Sequence, residues 1–295
     1  MAIQKILVAF DVSDAATTAS FTAEALAEEL GAELVIWNVD ELQPYRDSEK
    51  PSVLKHIEAA DAAWNEKLGA LTARLETLNV KYTVARSFHE YLDEGLLAYV
   101  EDNDVDLVVM GRDAREGFKR FMLGSNVQRV LRKIHVPVAV VPCGGTGEGS
   151  HPDFNKITAT SDFSDDSLRG LRFAAMLGEG LKAETEVLHI SKLPRFQSEL
   201  EFLASDDLRA LKADAEKSLT ESCKGLSTKL SVAVRIGESV ANEVILGAEE
   251  GGSDLIIIPT HGRGMLHRLL VGSTAQQVLE RSTKVPVMVI PKSAN

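Results

Sequence analysis

Short runs of β-branched and aliphatic residues alternate along this chain with longer stretches in which apolar residues recur every third or fourth position. The runs predict strands over 3–10, 33–39, 80–86, 106–110 and 136–141, then over 156–161, 184–190, 230–236, 254–258 and 285–290. Between them, Ala23, Leu26, Ala27 and Leu30 form the apolar stripe of a helix that Ser13 or Asp14 opens and Gly31 ends. Leu168, Leu171, Ala175 and Met176 make the matching stripe of a helix from Ser164 to Gly178. A longer second helix carries Trp64, Leu68, Leu71, Leu75 and Leu78, and its counterpart carries Leu208, Leu211, Ala215 and Leu219. All four stripes read as core. Strands alternating with helices predict βαβ units around a parallel sheet, the α/β class.

The pattern is stated twice, at an offset of about 149 residues. Lys5-Ile-Leu-Val-Ala-Phe-Asp11-Val-Ser13 returns as Lys156-Ile-Thr-Ala-Thr-Ser-Asp162-Phe-Ser164. Asp106-Leu-Val-Val-Met-Gly111 returns as Asp254-Leu-Ile-Ile-Ile-Pro259, and Val136-Pro-Val as Val285-Pro-Val. Markers in the same order at a near-constant offset indicate a duplicated domain rather than a solenoid. The glycine-rich stretch Cys143-Gly-Gly-Thr-Gly-Glu-Gly-Ser150 marks the join. We therefore expect one domain at 1–143, a linker at 144–153 and a second domain at 154–295.

Composition narrows the function. The 295 residues suffice for two cores of ordinary size, and 44% hydrophobic with 26% charged residues is a soluble balance. No apolar run approaches the roughly 20 residues needed to cross a bilayer and no basic leader precedes the first strand, so a cytoplasmic protein without membrane contact is expected. A net charge of −12 disfavours nucleic acid. Two isolated cysteines, one per half, fit a reduced compartment, and seven scattered histidines offer no metal-ligand spacing.

Against that acidic background two loops are basic. The strand ending at Met110 runs into Gly111-Arg-Asp-Ala114-Arg-Glu-Gly-Phe-Lys-Arg-Phe-Met-Leu-Gly124-Ser125. The strand ending at Ile258 runs into Pro259-Thr-His-Gly262-Arg263-Gly-Met-Leu-His-Arg-Leu-Leu-Val-Gly272-Ser273. Glycine admits close backbone approach to an anion, and a helix beginning at Gly-Ser presents open N–H groups with partial positive charge. The same residues serve equally as a plain helix start. Asp11 and Asp162 close the first strand of each half, where an open parallel sheet places its ligand crevice. Each fits a contact to a ribose or base as well as a cap for the next helix.

Together these residues resemble the universal stress protein family in its tandem form. The family pattern is Gly, two residues, Gly, nine residues, then Gly with Ser or Thr. The resemblance implies two Rossmann-like α/β sandwich domains, each with a five-stranded parallel sheet of order 3-2-1-4-5, and an ATP site between strands 1 and 4. It assigns base and ribose contacts to Asp11, Val39 and Met110 in one half and to Asp162, Ile190 and Ile258 in the other. Phosphates are assigned to Gly111, Gly124 and Ser125, or to Gly262, Arg263, Gly272 and Ser273. Neither half matches fully: Ala114 replaces one glycine in the first, and Pro259, which lacks an N–H, replaces another in the second. The second half keeps His261-Gly-Arg-Gly264 and is favoured as the phosphate binder, with the other site degenerate.

A nucleotide-binding stress or signalling protein is thus expected, with no catalytic residue and at most slow ATP hydrolysis, since neither a positioned base nor a Walker sequence is present. Two other classes stay open. One is an interaction module, or a binder of another small ligand in the same crevice. The other is an ATP-dependent hydrolase or nucleotidyl transferase, whose Ser-Gly-Gly-x-Asp-Ser or His-x-x-His signatures are missing. The resemblance further implies that the last strands of the two halves pair, a pseudo-dimer within one chain, and that two chains can form a homodimer.

Overall fold

The computed structural model describes residues 2–112, 123–144, 151–192, 206–226, 230–260 and 271–292. The chain divides into two compact units, with the boundary between Pro152 and Asp153.

In the first unit the strands are β1 (Lys5–Ala9), β2 (Glu33–Val39), β3 (Tyr82–Ser87), β4 (Leu107–Arg112) and β5 (Val138–Pro142). They pair in the order β3-β2-β1-β4-β5, and every pairing is parallel. The register sets Ala9, the last residue of β1, opposite both Trp37 and Met110, so β2 and β4 each run two residues past the end of β1. Helices α1 (Asp14–Leu30), α2 (Pro51–Thr77), α3 (Leu92–Asp102) and α4 (Ser125–Lys133) connect them. Ile6, Leu7, Leu34, Ile36 and Leu107 of the sheet are fully buried, as are Leu26 of α1 and Leu71 and Leu75 of α2. Near-continuous apolar strands are what a sheet covered on both faces requires.

The second unit repeats the order with β6 (Lys156–Thr160), β7 (Glu184–Lys192), β8 (Leu230–Gly237), β9 (Leu255–Pro259) and β10 (Val287–Ile290), again all parallel. Its helices are α5 (Asp165–Leu181), α6 (Asp206–Ser222), α7 (Val240–Glu250) and α8 (Ser273–Arg281). Both units are thus doubly wound five-stranded sheets, and no helix among the described residues is long and apolar enough to cross a membrane.

Ser13 and Ser164 cap α1 and α5 by accepting from the amides of Ala16 and Ser167, at 3.1 and 3.2 Å. Gly31 ends α1 with a left-handed φ of 64°. The copy departs here. Helix α5 runs through Gly178 to Leu181 and ends on Lys182, which takes the left-handed turn without being glycine. Gly178 instead makes room for Thr185, whose Oγ1 a Cβ would strike. A second correction concerns α6: Leu219 is fully buried, but Leu211 is 50% exposed and belongs to no core stripe, because among the described side chains of α6, which do not include Leu208, only those of the later turns are buried. Helices α3 and α7 occupy stretches for which the sequence pattern predicts no element.

The far end of the glycine-rich join is held down. His151 lies with Nε2 3.3 Å from Glu24, a fully buried carboxylate of α1 that also receives Nε and Nη2 of Arg74 at 2.8 and 2.6 Å.

Candidate functional site

A cleft of about 470 Å³ opens in the first unit where β1, β2 and β4 end. Asp11, Val39, Met110, Gly111, Gly124 and Ser125, six positions scattered over more than a hundred residues of sequence, all line it. The corresponding cleft in the second unit, about 240 Å³, is lined by Asp162, Ile190, Ile258, Gly272 and Ser273. Gly262 and Arg263 lie outside the described residues.

The carboxylates at the ends of β1 and β6 are tied into turns. Asp11 Oδ1 accepts from the Ser13 amide at 2.7 Å; Asp162 Oδ1 accepts from the Ser164 amide at 3.0 Å and its hydroxyl at 2.5 Å. Beside each, the end of the second strand makes one equivalent bond with different chemistry. Asn38 Nδ2 donates to the Phe10 carbonyl at 2.9 Å, and in the copy His189 Nδ1 stands 2.8 Å from the Ser161 carbonyl. A carbonyl only accepts, so Nδ1 carries a proton in that bond.

Gly111 is a glycine for a packing reason. A Cβ there would fall on the Ala15 carbonyl and stand 2.9 Å from the Ala16 amide, so the end of β4 reaches the first turn of α1 only without a side chain. Gly124 is different. A Cβ on it meets nothing within 4 Å, its φ of −54° suits any residue, and as N-cap of α4 it leaves the first amides with no side-chain acceptor. Gly272 occupies the same place before α8, but its own amide is engaged by the Thr260 carbonyl at 2.6 Å.

The first cleft has a far wall that the sequence pattern does not announce. Trp37, Trp64, Phe10, Asp40 and Arg86 all line it. The Phe10 and Trp64 rings lie 5.6 Å apart, and the Arg86 guanidinium sits 5.4 Å over Trp64. Behind them, Arg46 grips two carboxylates: Asp40 through Nε and Nη2 at 3.1 and 2.8 Å, and Asp61 through Nη1 and Nη2 at 2.7 and 3.0 Å. These bonds raise the pKa of Arg46 and hold the Asp61 carboxyl below its usual range. Trp64 reads from spacing as a core residue, and it is 95% buried, yet its ring also faces the cleft. Asp40, Arg46, Asp61 and Arg86 share no spacing that would announce them.

Leu188, Ile190, Val240, Val244 and Ile258 give the second cleft an apolar side, with Pro259 where the first has Gly111. Phe163, at a left-handed φ of 63°, stacks on His189 with centroids 4.5 Å apart. Among the described residues, no group of three or more His, Cys, Asp or Glu is placed to hold a metal ion.

Known proteins match this architecture over its full length. A solved universal stress protein from Archaeoglobus fulgidus superposes on 99% of this chain and 100% of its own, with a TM-score of 0.70 at 18% identity. A Pseudomonas aeruginosa protein covers 99% and 94% with a TM-score of 0.66 at 16% identity. Among curated sequences, a Synechocystis universal stress protein is 29% identical over 197 residues, which is 65% of this chain and 61% of that relative. A Mycobacterium bovis universal stress protein is 22% identical over 81% of this chain and 84% of its own. The model of the universal stress protein family matches residues 2–142 and again 153–291, and the chain therefore belongs to that family, with two copies of its domain in tandem.

Proposed function

We propose that this protein binds a nucleotide, ATP foremost, in the cleft of its first half, and acts as a nucleotide-responsive binding protein in the stress response rather than as an efficient enzyme. The observation that carries this reading is the open start of α4: a Gly-Ser helix N-terminus with no side-chain cap, on the same cleft as Asp11 at the end of β1. Sequence alone favours the second half. The geometry argues the other way, because there the Gly272 amide is engaged, Pro259 lacks an N–H and the cleft is half the volume. The second half is then the degenerate copy.

Mass spectrometry of small molecules released by denaturing the fresh protein tests this, with calorimetric titration of the emptied protein. The chain has two tryptophans and both line the first cleft, so their emission reports that cleft and not the other. We expect ATP to bind and to change tryptophan emission. Binding without an emission change moves the nucleotide to the second half. No binding at millimolar ATP leaves an interaction module or a binder of another ligand.

A further inference from the structure

Arg86 stands out in the first cleft by how little the fold needs it. Asp40 and Asp61 already receive four short bonds from Arg46, at 2.7 to 3.1 Å, and the Leu42 amide adds a fifth to Asp40 at 3.2 Å. Arg86 joins this group only loosely, with both terminal nitrogens 3.4 Å from Asp61 and one 3.6 Å from Asp40. Its guanidinium lies over Trp64 and lines the cleft. Withdrawing it leaves no carboxylate unpaired.

At the register position of Arg86, which lies opposite Asn38, the copy has Val234, opposite His189. Arg235 is clamped by Glu243 at 3.0 Å and Glu250 at 2.8 Å, and it is not among the residues lining the second cleft. Arg235 stands one position further along β8, opposite Ile190, so it is no counterpart of Arg86, which lines the first cleft.

Strand order says which part of a ligand it meets. Arg86 is on β3 and α4 follows β4, with β2 and β1 between them. Three strand spacings amount to about 14 Å, so Arg86 and the helix start address opposite ends of one ligand. If the anionic end lies on α4, the other end lies among Trp64, Arg86, Val39 and Asp40.

We propose that Arg86 is the residue that recognises the ring end of the ligand in the first cleft, swinging from its loose contacts with Asp40 and Asp61 to donate an N–H to an acceptor nitrogen on the ring edge. This rests on the reading of that cleft as a nucleotide site. A guanidinium has donors only, so it meets an acceptor of the ring, and since each acceptor nitrogen of adenine stands beside a donor amine or alone, one N–H of the guanidinium makes the contact. Lysine keeps the charge and loses the planar, pre-organised donor group.

The test is calorimetric titration of full-length wild type, Arg86→Gln and Arg86→Lys with ATP and, separately, with inorganic tripolyphosphate, while tryptophan emission is followed. Near-ultraviolet dichroism and melting of both variants should match wild type, because Arg46 still holds both carboxylates. Arg86→Gln should weaken ATP by about tenfold or more, the loss of a charge-assisted pair, with Arg86→Lys recovering only part. Tripolyphosphate affinity should not change. Unaltered ATP affinity in Arg86→Gln overturns the proposal. Equal losses for ATP and tripolyphosphate make Arg86 a phosphate contact and overturn the ring assignment. If wild type binds neither probe, the nucleotide reading itself fails and takes this proposal with it.

Discussion

Gly124→Asp should stabilise the first domain and abolish nucleotide binding, two opposite effects with a single cause. Gly124 is the N-cap of α4, has open space where a Cβ would go, and has φ −54° and ψ 143°, which aspartate adopts without strain. Three gains are expected: a few tenths of a kcal/mol from the cap, about 0.3–1 from a negative charge at the helix N-terminus, and about 0.4–1 from a stiffer unfolded chain. Their total of about 1–2 kcal/mol corresponds to a rise of about 2–8 °C in melting temperature for a domain of this size. The same carboxylate would occupy the place proposed for phosphate. Two unit charges about 4 Å apart repel by about 4 kcal/mol at an effective dielectric near 20, enough to remove measurable binding. Melting followed by circular dichroism and calorimetric titration with ATP give both readouts, and Gly124→Asn, which caps without charge, separates repulsion from bulk. If Gly124→Asp keeps wild-type ATP affinity, the phosphates are not on α4. If its melting temperature falls, the helix start is not open.

Other outcomes follow from packing and charge. Gly111→Ala should cost about 2 kcal/mol or more, read from urea melts, because its methyl meets the backbone of α1, which cannot turn aside as a side chain can. Arg46 lowers the pKa of Asp61, so the folded chain holds that carboxylate charged more readily than the unfolded chain does. The stability this adds is present at neutral pH and drains as the pH falls through about 4 and below; Asp61→Asn should lower stability at pH 7 and flatten that acid loss. Burial pushes the Cys223 thiol upward while Cys143 is partly exposed, so maleimide at pH 7 should label Cys143 first, which peptide mapping would read.

The strands were legible because aliphatic runs bounded by polar turns admit little else, and the helix start at Ser13 and end at Gly31 because each has a local cause, an oxygen for an amide and a left-handed turn. Glycine was the ambiguous letter. Gly178 looks like a helix end and is a gap for Thr185; Gly111 looks like a ligand contact and is at least a gap for α1. Neither reason is local, since each depends on an element that only the fold brings near. Helix α3 escapes notice because its Leu96 and Val100 make a stripe too short to stand out, and its firmest tie, Asp93 to Lys133 at 3.0 Å, spans 40 residues. The wall built from Asp40, Arg46, Asp61, Trp64 and Arg86 was hidden for the same reason. Its members come from four different segments and meet only when β2, β3 and α2 are assembled.

The bond from the Ser13 amide to Asp11 Oδ1 looks like a detail of how α1 begins. Yet a carboxylate that must be ordered on binding costs a ligand about 0.5–1.5 kcal/mol in lost side-chain freedom. Here the turn already holds that side chain, which lines the cleft, before any ligand arrives. The start of the helix is in this sense an aiming device, and the same tie that shapes the backbone lowers the entropic threshold for whatever the cleft receives.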